Sequence, residues 1–397
     1  MDHRHAVEQL LPHVPGSSLV GRARVPGESG SRIVTVRQDR LVDITRAAVT
    51  MSALLERDDV LDIVRSAPAD ESWDLGSCIE ATLSQTGSSP RLLSPIDLQV
   101  IKAAGVTFAK SMIERVIEEK TAGDASLAAS IRSRVTDAIG DTIGSLRPGS
   151  EAAAEAKRAL IAEGLWSQYL EVGIGPDPEI FTKAPVLSST GTGAPIGVLA
   201  RSTWNNPEPE VVLAVRSDGR AVGATLGNDV NLRDFEGRSA LLLTEAKDNN
   251  GSCAIGPMIR LFDEEFNLAD VSTLTISLHI EGDDGFVLDD ESRMSEMSRT
   301  LDELITHTVG PHHQYPDGFV LFTGTLFAPT KDRDHPGLGF THKDADIVRI
   351  SCPQLGTLVN SVTAAEKCPP WTIGITDFFA DLAARGLLDR ADAGTGA

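Results

Sequence analysis

Glu208 and Glu210 stand on either side of Pro209 in WNNPEPEVVLAV, at the mouth of an apolar run that reads as a buried strand. Side chains alternate across a strand, so residues i and i+2 share a face. Two carboxylates on one face of a strand about to be buried repel each other and lose hydration. Something positive must sit between them. A third carboxylate follows in GATLGNDVNLRDFEG, where Asp229 comes at the end of the next strand-like run. Three oxygen donors from two adjacent strands suit a hard divalent cation, Mg²⁺ or alternatively Mn²⁺, with positions left open for water or substrate. The competing view is that these are ordinary surface glutamates.

Other side chains could serve the same chemistry. Lys247 follows ALLLTEA, an apolar run that reads as a strand. Beside a divalent cation its ammonium would be depressed in pKa, as a general base requires; a solvated strand terminus is the alternative. Arg233 offers a bidentate fork for a substrate carboxylate, or else pairs with Asp234 or Glu236. Gly324 and Thr325, in TGTLFAP, belong to a tight turn whose N–H groups and hydroxyl can hold an anion. Lys183, in IFTKAP, faces either substrate or solvent. His312 and His313 lie in a Pro/Gly-rich loop where packing is the simpler role, and SSTGTGAP (188–195) is either a flap or ordinary loop composition.

These residues must be positioned by the elements around them. SSLVGRARVPG and SRIVTVRQDRLVDIT read as short strands, and TRAAVTMSALLERDDVLDIVRSA as a helix with an acidic break near Asp58. DLQVIKAAG reads as helical up to Gly105, and KSMIERVIEEK resumes a helix. Residues 124–146 and 150–164 read as two more, the second capped by Ser150. Past about residue 170 short apolar runs alternate with Gly, Asn, Asp and Pro, the texture of a β-rich domain, interrupted by a helix at roughly 293–306. TDFFADLAARGLLDRADAGTGA closes with a short amphipathic helix and a tail.

Composition bounds the rest. The 397 residues hold 41% hydrophobic and 23% charged side chains, enough for a sizeable core. A net charge of −21 is the wrong sign for nucleic acid or an acidic membrane surface. Cys78, Cys253, Cys352 and Cys368 show no metal or redox spacing and are expected as free buried thiols in a reducing cytoplasm. MDHRHAVEQLLPHV carries no signal-peptide pattern, and no stretch approaches the ~20 apolar residues of a membrane span.

EPEVVLAV, GNDVNLRDFEG, a lysine followed by SCAIGP, and a Gly-Thr turn, in that order, resemble the fumarylacetoacetate hydrolase superfamily over roughly residues 95–362. Within it, VGIGPDPEIFTKAP, GRSALLLTEAKDNNGSCAIGP and HHQYPDGFVLFTGTLFAPT are most similar to sugar-acid dehydratases acting on 2-keto-3-deoxy pentonates. The resemblance implies an α+β fold: a mainly helical N-terminal region over 1–165 with a lid segment near 105–120, a β-rich catalytic domain of rolled mixed sheets over 166–385, and a disordered tail at 386–397. It also implies Mg²⁺ on Glu208, Glu210 and Asp229, with Lys247 and Thr325 in the substrate site, in a homodimer or homotetramer.

One departure points away from hydrolysis. Hydrolases of this superfamily carry a histidine and, three residues on, a glutamate that together activate water; in GVTFAKSMIERV, Ser111 stands at the histidine position and Glu114 keeps the acidic one. A serine cannot take a proton from water near neutral pH as imidazole does. An elimination needs no attacking water. The expected reaction is therefore dehydration of a 2-keto-3-deoxy pentonate to 2-oxoglutarate semialdehyde, with Lys247 as base, Glu114 as acid, and Thr325, Arg233, Ser111, Lys183 and Gly324 around the substrate. A diketo-acid hydrolase or 2-oxo-acid decarboxylase, and a non-catalytic sugar-acid-binding protein, are the alternatives.

Overall fold

A computed structural model of the chain describes residues 10–12, 14–108, 112, 116, 133–134, 146–325, 331–334 and 339–388. The first strands are β1 (Leu19–Arg24), β2 (Arg32–Arg37), β3 (Arg40–Asp43), β4 (Ser72–Asp74), β5 (Arg91–Leu92) and β6 (Val100–Gly105). β7 (Glu179–Ala184), β8 (Pro195–Val198), β9 (Asn205–Asn206), β10 (Pro209–Val215), β11 (Ala221–Asp229), β12 (Asn231–Leu232) and β13 (Cys253–Leu261) follow. The last are β14 (Thr275–Glu281), β15 (Val287–Arg293), β16 (Phe319–Phe322), β17 (Ile347–Cys352) and β18 (Gly356–Ala364). The large sheet runs β4-β3-β2-β1-β13-β11-β10-β16-β6-β7 with β5 on β1; a second sheet runs β15-β14-β17-β18-β8. The fold is α+β with mixed sheets, and strands from before residue 106 lie in the large sheet beside β13 and β16.

β10 explains the arrangement. All seven of its residues are buried, as expected of a strand covered on both faces. Val211, Leu213 and Val215 face the second sheet, packing in one cluster with Ile276, Leu278, Val348 and Leu358. Val212 and Ala214 face the other way, with Ile255, Ile259, Met51 and Leu54. Each such fully buried aliphatic side chain contributes roughly 1.5–3 kcal/mol. Glu208 and Glu210 extend the face of Val212 and Ala214 at the strand's N-terminal end, away from bulk water.

Several elements differ from expectation. DLQVIKAAG contains strand β6, not a helix: Val100–Ala103 pair in parallel with Phe319–Phe322. A short apolar run does not reveal its period, and this one is decided by a partner far along the chain. ALLLTEA is a 3-10 turn, Ala240–Leu242, leading into the helix Leu243–Lys247. Its Leu, Glu, Ala and Lys are good helix formers, and Leu241 is exposed, so no buried strand was needed. The helix expected at 293–306 begins at Leu301 and ends at Thr308, because β15 continues to Arg293. The helix broken at Asp58 is present as Met51–Leu55 and Val60–Ser66, and Ser150 caps Glu151–Ala162 through a bond from Ala153 N–H. All four cysteines are buried and free.

Candidate metal centre

The register of β10 on β11 sets Pro209 against Asn228 and Glu210 against Gly227, and Asp229 N–H donates to Glu208 O at 3.1 Å. Glu208, Glu210 and Asp229 therefore project from one face of the strand pair. One oxygen from each lies within 4.8 Å of the others. Their exposures are 4%, 2% and 2%, so water does little to dilute the repulsion.

Two ammoniums meet this cluster. Lys247 Nζ donates to Glu208 Oε2 and, at 3.1 Å, to Asp229 Oδ2. It lies at the C-terminal end of the helix Leu243–Lys247 rather than at a strand end, and Ser252 Oγ anchors its carbonyl with a 2.8 Å bond. Lys183, on β7, is fully buried, which removes the solvated-loop alternative: its Nζ is 2.8 Å from Asp229 Oδ1 and donates to Val230 O at 3.2 Å and to Lys247 O.

Burial and the charges of Asp229 and Glu208 hold the Glu210 carboxyl well above the usual carboxylate range, against the opposing pull of Gly324 N–H, which donates to Glu210 Oε2 at 2.6 Å, and of Lys247. Burial alone would lower Lys247, but Asp229, Glu208 and Glu236 outweigh it and the ammonium is stabilised. This reverses the expected depression, because the expectation assumed a cation on the same carboxylates. Four carboxylates, Glu236 included, face two ammoniums. The residual negative charge, the hard oxygen donors and their mutual spacing fit a divalent cation.

Surrounding groups hold these side chains in place. Asn231 Nδ2 donates to Glu208 Oε1 at 3.2 Å and to Glu236 Oε2 at 2.5 Å, and Asn228 Oδ1 accepts from Glu208 N–H at 3.0 Å. Thr107 Oγ1 donates to Thr323 O at 2.8 Å, fixing the turn that presents Gly324 N–H. Asn228, Asn231 and Ser252 were not singled out from sequence; only the two asparagines carried a signal, flanking Asp229 in GNDVN. Arg233 is buried with its guanidinium over the Trp204 ring at 4.5 Å, while Asp234 accepts from Ser202 Oγ and Thr203 N–H. Thr325 follows Gly324 and is half-buried. Ser111 and Glu114 lie outside the described residues, although Met112 and Val116 beside them are buried.

A model of the fumarylacetoacetate hydrolase C-terminal family matches residues 156–363, more than half of the chain. The chain belongs to the fumarylacetoacetate hydrolase family. It is 36% identical over 195 residues to a probable 2-keto-3-deoxyxylonate dehydratase of Haloferax volcanii, covering 49% of this chain and 63% of that one. It is 35% identical over 190 residues to a 2-dehydro-3-deoxy-D-arabinonate dehydratase of Saccharolobus solfataricus, covering 48% and 60%. The matched segment thus spans less than two thirds of either relative. A 2-keto-3-deoxy-D-arabinonate dehydratase solved in complex with magnesium and 2,5-dioxopentanoate shares the fold, at 24% identity and a TM-score of 0.59 over 87% of this chain and 99% of that one.

Proposed function

We propose that this protein is a Mg²⁺-dependent hydro-lyase that converts a 2-keto-3-deoxy pentonate to 2-oxoglutarate semialdehyde (2,5-dioxopentanoate). The observation that carries the proposal is the buried Glu208–Glu210–Asp229 cluster with Lys247 against it, in a family whose relatives bear dehydratase names. Glu208, Glu210 and Asp229 would hold the cation, which supplies Lewis-acid polarisation of a 2-keto acid's oxygens.

Lys247 is the base in this scheme. It gives up its own proton once the charge of Glu208 and Asp229 is neutralised, and its Nζ then accepts the C3 proton of the substrate. The C–H electron pair becomes the C3–C4 double bond as the C4 hydroxyl leaves with a proton from Glu114. Transfer of a proton from C5 to C3 gives the C4–C5 enol, which tautomerises to the C5 aldehyde; the net loss is one water. Arg233 and Thr325 orient the substrate carboxylate, with Ser111 and Gly324 beside it, and Lys183 fixes Asp229 at the edge of the same pocket. A homodimer or homotetramer in the cytoplasm is the proposed setting; the four free thiols bear on the reducing compartment alone.

The test is direct. Purified protein with Mg²⁺ and each C4 epimer of a 2-keto-3-deoxy pentonate should release an aldehyde trapped as its hydrazone. No aldehyde from either epimer, or acylpyruvate cleavage faster than dehydration, would overturn the assignment.

A further inference from the structure

A second charge cluster, opposite in sign, lies on β1 and β5 of the large sheet. Arg22 and Arg24 are i, i+2 neighbours on β1 and share a face, and β5 sets Arg91 directly across from Arg24. Like charges facing each other across a strand pair are destabilising. Among the described residues none of the three guanidiniums has an ion-pair partner, in a chain of 57 acidic residues. Arg22, 8% exposed, donates only to the carbonyls of Ser94 and Ile96 and to Ser31 Oγ, and its buried Nε has no acceptor. Arg24 Nε likewise has none, and Arg91 Nη1 donates to Gln85 O at 2.9 Å and to Gln85 Oε1 at 3.4 Å. The field of Asp97 reaches Arg22, but the oxygens of Asp97 are occupied by the N–H groups of Met51 and Ser52.

The three arginines line a cavity of about 320 Å³ that no aspartate or glutamate lines. Ser94 and Ser189, joined by a 2.7 Å hydroxyl contact, and Thr190 add polar hydrogen donors to its wall. The volume accommodates an ion of a few heavy atoms with its hydration, and guanidinium forks match the paired oxygens of carboxylates and phosphates. We propose that Arg22, Arg24 and Arg91 form a binding site for a small dianion, the charge and oxygen pattern shared by phosphate and a short aliphatic dicarboxylate. The site shares no residue with the carboxylate cluster and stands whether or not the dehydratase assignment does.

The experiment is calorimetric titration of the full-length protein with inorganic phosphate, with succinate and with acetate, at constant ionic strength in chloride. Saturable binding of phosphate or succinate, stronger than that of acetate, is expected; which of the two binds tells whether the natural ligand is a phosphate or a dicarboxylate. Arg24→Gln and Arg91→Gln should each weaken that binding by about tenfold or more, the loss of a hydrogen bond to a charged group. In chloride alone Arg24→Gln should melt no lower than the wild type, because it removes a like-charge contact, whereas Arg91→Gln also loses the 2.9 Å bond from Arg91 Nη1 to Gln85 O and is required only to remain folded. Wild-type binding no stronger than that of acetate overturns the proposal. So does full retention of binding in both variants, which would place the anion at another basic site such as Lys183 and Lys247. A changed oligomeric state in both variants without loss of a dianion effect also overturns it, assigning the arginines to subunit contact.

Discussion

Replacing Glu210 by glutamine should make the metal-free protein more stable while destroying its hold on magnesium. The substitution keeps the side chain's shape and leaves Oε1 to accept from Gly324 N–H. At a separation of 4.8 Å and an effective dielectric near 20, each carboxylate pair repels by roughly 3.5 kcal/mol, and Glu210 faces two such partners. Charge-assisted bonding from Gly324 returns roughly 1.5–3 kcal/mol of that, and the Lys247 ammonium offsets more. The net gain on neutralising Glu210 is then on the order of 1–2 kcal/mol.

Calorimetric melting in EDTA at neutral pH would register this as an increase of about 1 °C per kcal/mol for a chain of this length. Titration with Mg²⁺ provides the second readout. In the wild type, saturation at a hundred times Kd should add about 2.7 kcal/mol of stability. In Glu210→Gln, loss of a charged ligand should weaken Mg²⁺ by more than the roughly 10–100-fold typical of groups that merely orient ligands. A Glu210→Gln protein that melts below the wild type in EDTA and keeps its full Mg²⁺ response would refute the electrostatic reasoning.

Lys247→Met should abolish turnover and, without metal, cost about 3–5 kcal/mol, because it leaves Glu208 and Asp229 short of a buried partner; urea melts with and without Mg²⁺ check this, with the cation restoring part of the loss. Gly324→Ala puts a Cβ 1.9 Å from Thr107 Oγ1 at a φ of +97°, so it should cost about 1–3 kcal/mol and weaken Mg²⁺ by displacing the Glu210 hydrogen bond, and Thr107→Ala should relieve only the clash. His342 gives a pH signature. Burial lowers its pKa against the opposing pull of Asp346, so as pH falls through 6.5 the unfolded chain takes up a proton that the native state refuses. Stability should therefore decline below pH 6.5, and His342→Gln should flatten that decline in melts run across the range.

The parts of the site that were legible in the sequence share a local cause. Glu208 and Glu210 declare their common face by spacing alone, and Asp229 follows at the next strand's end, so the three carboxylates of the cluster could be read without any long-range knowledge. Lys247 was legible in type but not in setting: an apolar run too short to show its period passed for a strand, and the residue ends a helix instead. Lys183 was expected at the substrate or in solvent, since nothing local distinguishes either from a lysine threaded under Asp229. The same limit applies to β6, whose parallel pairing with β16 joins segments far apart in the chain. Arg22, Arg24 and Arg91 were invisible as a group until β5 was laid on β1.

The same charges that make the carboxylate cluster receptive to a cation also hold Lys247 in the wrong protonation state for a base. Its ammonium is the counter-ion of Glu208 and Asp229, and their field keeps the proton on Nζ. Binding of a divalent cation to those oxygens and release of that proton are consequently one linked equilibrium: magnesium affinity should rise with pH, and loading should expel protons into the buffer. Under the proposed reaction that linkage would protect the chemistry, because a neutral amine would be generated only with the cation in place. It would also account for the buried repulsion around Glu210. Relieving the excess negative charge with a permanent third cation from the chain would stabilise the fold and leave the metal nothing to neutralise.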